Sequence, residues 1–221
     1  EKLFKVMSQP YFEDFNKIYE YAAEHTSTAP SYLDELERST HLNTLQPRML
    51  SGAFQGRFLA MMSKMIKPTY ILEIGTFTGY SALCLAEGLV DNGELHTFEV
   101  NPELEPIIKN GFKNSPYAEK IKVHFQDAIQ AVPALNLIWD LVFIDASKKD
   151  YPNYLEMIMP FTKAGTMIII DNVLWSGKVL NPSEDKDAQI LDSLNKKIMS
   201  DERFEVVLLP IRDGISVIRV K

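Results

Sequence analysis

The sequence is poor in what would build a secreted, membrane-spanning or nucleic-acid-binding protein. It has one cysteine, Cys84. That excludes an intrachain disulfide and any thiolate metal cluster, and it fits a reducing compartment. No apolar run approaches the ~18–20 residues of a membrane span, and nothing at the start reads as a signal peptide. Basic charge is in deficit: 23 Lys and Arg against 30 Asp and Glu leave a net −7, which disfavours a phosphate backbone as partner. The histidines, His25, His41, His96 and His124, show no ligand spacing and follow no nucleophile motif. His96 and His124 fall inside strand patterns and are expected to be structural. There is no internal repeat and no low-complexity tract. The expectation is a soluble, cytoplasmic chain folding as a single domain over 1–221.

What is present is a change of rhythm. Residues 9–24 carry Tyr11, Phe12, Phe15, Ile18, Tyr19 and Ala22 at helical spacing. Further helices are expected over 31–39, with Ser31 as N-cap, and from about 53 to 66, stopped by Lys67-Pro68. From Tyr70 onward, short apolar runs alternate with helical patterns. Strands are expected at 70–75, 94–100, 120–126, 140–145 and 166–171, with helices near 79–90, 102–113, 128–135 and 151–160 between them. Runs such as LVFI and MIII do not alternate, which suits strands buried on both faces of a parallel sheet. A polar loop (172–187) and a helix near 188–200 follow. Strands at 204–210 and 214–220 close the chain, joined by a turn short enough for a hairpin. The fold class is α/β: a Rossmann-like, doubly wound, mostly parallel sheet with an antiparallel C-terminal hairpin. A helical cap (1–68) precedes the α/β core (69–221).

In open α/β sheets, ligands bind outside the carboxyl ends of the strands, where strand order reverses. Here the first strand runs into Gly75-Thr76-Phe77-Thr78-Gly79. The two glycines permit a tight turn, and the following helix offers unpaired N–H groups. The spacing is G-x-x-x-G, without the middle glycine of a dinucleotide fingerprint. Glu99 ends the second strand, where an acid accepts hydrogen bonds from ribose hydroxyls. Asp127-Ala128 closes the third strand beside it, although Asp127 serves equally well as a helix N-cap. Together they make a candidate nucleoside site, with Met49 a methionine that could lie near it.

Asp145 ends the fourth strand and Asp171 the fifth. If those strands are neighbours they lie about 4.8 Å apart, and the two carboxylates would converge and repel, recruiting a cation or raising a pKa. Asn172 adds an amide oxygen. Two carboxylates and an amide are hard donors that suit Mg²⁺, Ca²⁺ or Mn²⁺. Lys148 can point into the same mouth as a general base, as readily as it can be a solvated lysine. Trp175, in the polar loop after the acidic pair, can wall a flat substrate or simply anchor the loop.

Taken together, EIGTFTGYS, FIDASKKDY and DNVLWSGKV strongly resemble the cation-dependent O-methyltransferases of the catechol and caffeoyl-CoA type. The likeness runs from about Glu24 through RMLSGAFQGRFL (48–59) to IRDG (211–214). It implies S-adenosylmethionine in the nucleoside site. Met49, Ser51, Glu73, Gly75, Thr76, Phe77, Gly79 and Ser81 would line its methionine and loop side, with Glu99 at the ribose and Asp127-Ala128 at the adenine. Asp145 would border both cofactor and metal. Asp145, Asp171 and Asn172 would bind the cation, Mg²⁺ first. Lys148 would be the base, and Lys148 and Trp175 would meet the substrate. The implied reaction is methyl transfer to a hydroxyl of a vicinal-diol aromatic, carried out by a homodimer. Ser147 and Arg212 depart from the family pattern. Two other functions fit some of the residues: a nicotinamide-dependent oxidoreductase, with which Glu99 is compatible, and a non-catalytic cofactor-binding protein.

Overall fold

Unalternated apolar strands need cover on both sides, and that requirement organises the computed structural model, which describes residues 15–221. Its elements in chain order are α1 (Phe15–Glu24), α2 (Ser31–Asn43), α3 (Gly52–Ile66), β1 (Tyr70–Ile74), α4 (Tyr80–Ala86), β2 (Glu94–Phe98), α5 (Glu105–Lys113) and β3 (Ile121–His124). These are followed by α6 (Ala128–Leu135), β4 (Leu141–Ile144), α7 (Tyr151–Ile158), β5 (Met167–Asp171), α8 (Lys186–Ser200), β6 (Phe204–Leu209) and β7 (Ile215–Val220). The seven strands form one sheet in the order β3-β2-β1-β4-β5-β7-β6. β1 to β5 pair in parallel, and β7 lies antiparallel between β5 and β6. Strand order reverses between β1 and β4, which sets the switch point.

Each face of the sheet has its own core. On one, Val142, Ile144, Ile168 and Ile170 pack with Val132, Leu155, Ile158 and Leu191 of α6, α7 and α8. On the other, Ile71, Leu95, Phe143 and Ile169 meet Leu36, Leu59, Leu83 and Ile108 of α2 to α5. Thus α2 and α3, expected as a cap, are built into a helical layer. α4 is buried over its whole length, which is why it lacks a polar face.

Boundaries differ from the sequence reading in ways that have causes. α2 runs on to Asn43, because Thr40 is buried and its hydroxyl donates to the Leu36 carbonyl. Ser31 is the first helical residue and not the N-cap; the extended Pro30 precedes it. α4 ends at Ala86 because Gly88 is pressed against the Ser63–Lys64 backbone. The 172–187 loop holds short 3₁₀ turns and pairs with the hairpin turn, Val173 and Leu174 N–H donating to the Gly214 and Asp213 carbonyls. Of the first helical stripe, Tyr11 and Phe12 lie outside the described residues. Trp139 and Cys84 are fully buried, and burial pushes the Cys84 thiol up to about 12. His96 and His124 face each other, ring nitrogens 3.0 Å apart. Burial holds both below the usual imidazole range.

Candidate functional site

Most of the residues the sequence marked gather at the carboxyl ends of β1, β2, β4 and β5, around two adjoining cavities of about 720 and 840 Å³. Met49, Gly75, Phe77, Asp145 and Ser147 line both and form the partition.

The first cavity is mainly apolar, walled by Phe98, Val100, Leu104, Ile107, Ala128 and Tyr154, with Glu99 on its wall. The Glu99 carboxylate accepts the Phe77 N–H at 2.8 Å and the Asn101 N–H at 2.9 Å. Both oxygens are therefore aimed before any ligand arrives. A mainly apolar cavity with one oriented acid suits an adenine and a ribose diol.

The second cavity is polar. Ser51, Thr76, Ser81, Lys148, Asp171 and Trp175 line it, with Asn172 beside them. The register that pairs Ile144 with Ile170 makes Asp145 and Asp171 the next residues of adjacent strands. Asp171 is 3% exposed; burial, and then the charge of Asp145, raise its pKa well above the ordinary carboxyl range. Its Oδ2 accepts from Gln55 Nε2 at 2.6 Å and its Oδ1 from the Asn172 N–H at 2.7 Å. Lys148 Nζ donates to Asp145 Oδ1 at 3.0 Å, to the Ala146 carbonyl at 3.1 Å and to the Tyr151 hydroxyl at 2.8 Å. Trp175 both lines the cavity and donates Nε1–H to Asp185.

Among the described residues no three His, Cys, Asp or Glu side chains form a metal cluster. The donor set here is Asp145, Asp171 and the Asn172 amide. Two repelling carboxylates, one of them almost without solvent, and a neighbouring neutral oxygen fit a hard divalent cation.

Three expected cofactor residues line neither cavity. Glu73 is fully buried behind the turn, where Thr76 bonds to Thr97 and Thr97 donates to Glu73 Oε2, both at 2.5 Å. Burial pushes the Glu73 carboxyl up to about 8, and the charges of Asp145 and Glu99 add to this, against the hydrogen bonds from Ser81 and Thr97. Gly79 carries the turn at φ +93° and packs on Phe112. Asp127 is exposed and caps α6, accepting the Ile129 N–H at 2.9 Å, while its neighbour Ala128 lines the first cavity.

Sequence reading missed Gln55 and the Tyr151 hydroxyl. A signal existed for Gln55: a glutamine on the buried stripe of α3, in line with Gly56, Leu59, Ala60 and Ser63, is costly unless something accepts its hydrogen bonds.

Comparison with known proteins follows the same lines. A family model described as O-methyltransferase matches residues 23–221. Caffeoyl-CoA O-methyltransferase 1 of Nicotiana tabacum is 31% identical over 220 residues, covering 91% of this chain and 90% of that protein. The SAH-bound methyltransferase PaMTH1 of Podospora anserina superposes with a TM-score of 0.87 at 28% identity, covering 95% of this chain and 96% of that one. An O-methyltransferase from Bacillus cereus in complex with SAH gives 0.85 at 26% identity, covering 93% of this chain and 97% of that one.

Proposed function

The chain belongs to the O-methyltransferase family and is an S-adenosylmethionine-dependent enzyme, and we propose that it methylates one hydroxyl of a small vicinal-diol aromatic at a divalent cation. The observation that carries this reading is the pair Asp145 and Asp171, at the ends of neighbouring strands on one cavity, with Lys148 bonded to the first. The nicotinamide alternative loses its ground with the family assignment and with the missing middle glycine.

In this reading the residues divide the work. Glu99 accepts hydrogen bonds from the ribose hydroxyls of the cofactor, and the apolar wall from Phe98 to Ile107 takes the adenine. Asp145, Asp171 and Asn172 would hold the cation, which when bound supplies Lewis-acid polarisation and a template for two adjacent oxygens. Lys148 is the base for the acceptor hydroxyl's proton, with Asp145 and Tyr151 keeping Nζ aimed at the cavity. S-adenosylmethionine, held by Glu99 and the apolar wall, would supply the methyl group that the deprotonated oxygen takes. Phe77 and Met49 on the partition, and Trp175 on the far wall, exclude water and hold the acceptor ring.

The test is methyl transfer from S-adenosylmethionine to a panel of vicinal-diol aromatics, read as methyl ether by mass spectrometry, after stripping with a chelator and after Mg²⁺ is restored. The proposal expects turnover that disappears on stripping and returns with Mg²⁺. Undiminished turnover in the stripped protein removes the cation. Methylation of monohydroxyl acceptors alone removes the diol.

A further inference from the structure

Gln55 stands between Asp171 and Arg212, which lie at the ends of different elements and have no reason in local sequence to meet. Gln55 is fully buried on α3. Its Nε2 donates to Asp171 Oδ2 at 2.6 Å, and its Oε1 accepts from Arg212 Nη1 at 3.4 Å. The same guanidinium nitrogen donates to the Leu50 carbonyl at 3.0 Å and to the Ser51 carbonyl. Arg212 sits in the β6–β7 turn at φ +49°. That left-handed conformation costs a long side chain of this kind about 1 kcal/mol, where glycine would take it freely.

The polarity of the amide is dictated from both sides. An amide has a donor end and an acceptor end. Reversed, it would set Oε1 against the Asp171 carboxylate and its NH₂ against the guanidinium, losing both bonds at a buried position. Arg212 therefore selects the orientation in which Gln55 presents N–H to Asp171. Asp171 is then gripped at both oxygens, by Gln55 and by the Asn172 N–H, so its rotamer is set before a ligand binds.

We propose that Gln55, oriented by Arg212, is a positioning residue that holds the Asp171 carboxylate for the cation and ties it to the Leu50–Ser51 segment, of which Ser51 lines the same cavity. This rests on the cation reading of Asp145 and Asp171. Outer partners of metal-ligating carboxylates orient them, and their loss costs about 10- to 100-fold in metal affinity.

The experiment uses the full chain and Mn²⁺ as probe, its dissociation constant read from the loss of the free-ion paramagnetic resonance signal. Melting temperature and binding of S-adenosylhomocysteine are measured alongside. Gln55→Met keeps length and packing but has no donor; it is expected to weaken Mn²⁺ about 10- to 100-fold. Arg212→Ala leaves Gln55 in place but frees its amide to turn, and is expected to weaken Mn²⁺ by about 3- to 10-fold, the worth of one hydrogen bond. The double variant should bind Mn²⁺ as Gln55→Met does, because Arg212 reaches Asp171 only through Gln55. If Gln55→Met fails to fold, Arg212→Ala carries the test alone. Lowered melting temperatures with wild-type Mn²⁺ affinity overturn the proposal while sparing the cation reading. Independent, multiplying losses in the double variant also overturn it. A wild-type chain that binds no Mn²⁺ overturns both.

Discussion

A Cβ placed on Gly75 would lie 1.9 Å from the carbonyl oxygen of Asp145. The turn after β1 and the end of β4 touch backbone to backbone, and this contact sets the distance between the two halves of the site. Gly75 also has φ +103°, so any side chain there meets strain as well as overlap. Gly75→Ala is expected to destabilise the protein by about 3 kcal/mol or more, since neither backbone can yield without parting β1 from β4. Denaturant unfolding measures it; a loss under about 1 kcal/mol would show that the contact is slack.

Asp171→Asn keeps the shape of the side chain and removes its charge. Because Asp171 lines only the second cavity, cation-dependent turnover should fall at least 100-fold while cofactor affinity changes less than about threefold, a split that follows from electrostatic stabilisation confined to one cavity. Calorimetric titration with S-adenosylhomocysteine beside the activity assay separates the two.

For Lys148→Met the expected change is in kcat, down about 10²- to 10⁴-fold, the usual worth of a positioned base. The substitution also frees Asp145 Oδ1, so Mn²⁺ affinity should not weaken. Near-normal kcat at neutral pH would reject the base role.

Glu99→Ala removes the acceptor for two backbone N–H groups as well as for the ribose. Charged hydrogen bonds are worth about 1.5–3 kcal/mol each, so cofactor affinity should drop roughly 10- to 100-fold. Acceptor KM, measured at saturating cofactor, should stay within about twofold. A larger effect on the acceptor than on the cofactor would move Glu99 out of the cofactor's half.

Glu73 makes stability depend on pH. Its carboxyl is raised from 4.5 to about 8 in the fold, so between those values the folded chain holds a proton that the unfolded chain has released. Stability from this group is complete below pH 4.5 and declines as pH rises through 8, at up to about 1.4 kcal/mol per pH unit. His96 and His124, lowered in the fold, give an opposite slope below about 6.5. The measurement is therefore the difference between wild type and Glu73→Gln in unfolding free energy at several pH values. Glu73→Gln should gain relative to wild type from pH 5 to pH 8, and parallel curves would mean Glu73 does not titrate there.

The strands and their direction were legible in the chain itself. LVFI and MIII are apolar at every position because parallel strands are covered on both faces. α6 was expected at 128–135 and spans Ala128–Leu135, bounded by its Asp127 cap. Convergence of Asp145 and Asp171 was expected only if β4 and β5 were neighbours, and the observed register, Ile144 paired with Ile170, meets that condition.

What only the tertiary structure decided is which polar atoms meet. Gln55 and Asp171 are 116 residues apart in the chain, and Arg212 and Ser51 are 161 apart; periodicity reports which face of an element is buried, not which hydrogen-bonding group waits on the other side. Glu73 shows the same limit from the opposite direction. The family resemblance implied a ligand contact for it, whereas in the fold it is fully buried behind Thr97 and lines neither cavity. Sequence specifies buried apolar faces because burial is a property of each residue, whereas a polar contact belongs to two residues whose distance exists only after the faces have packed.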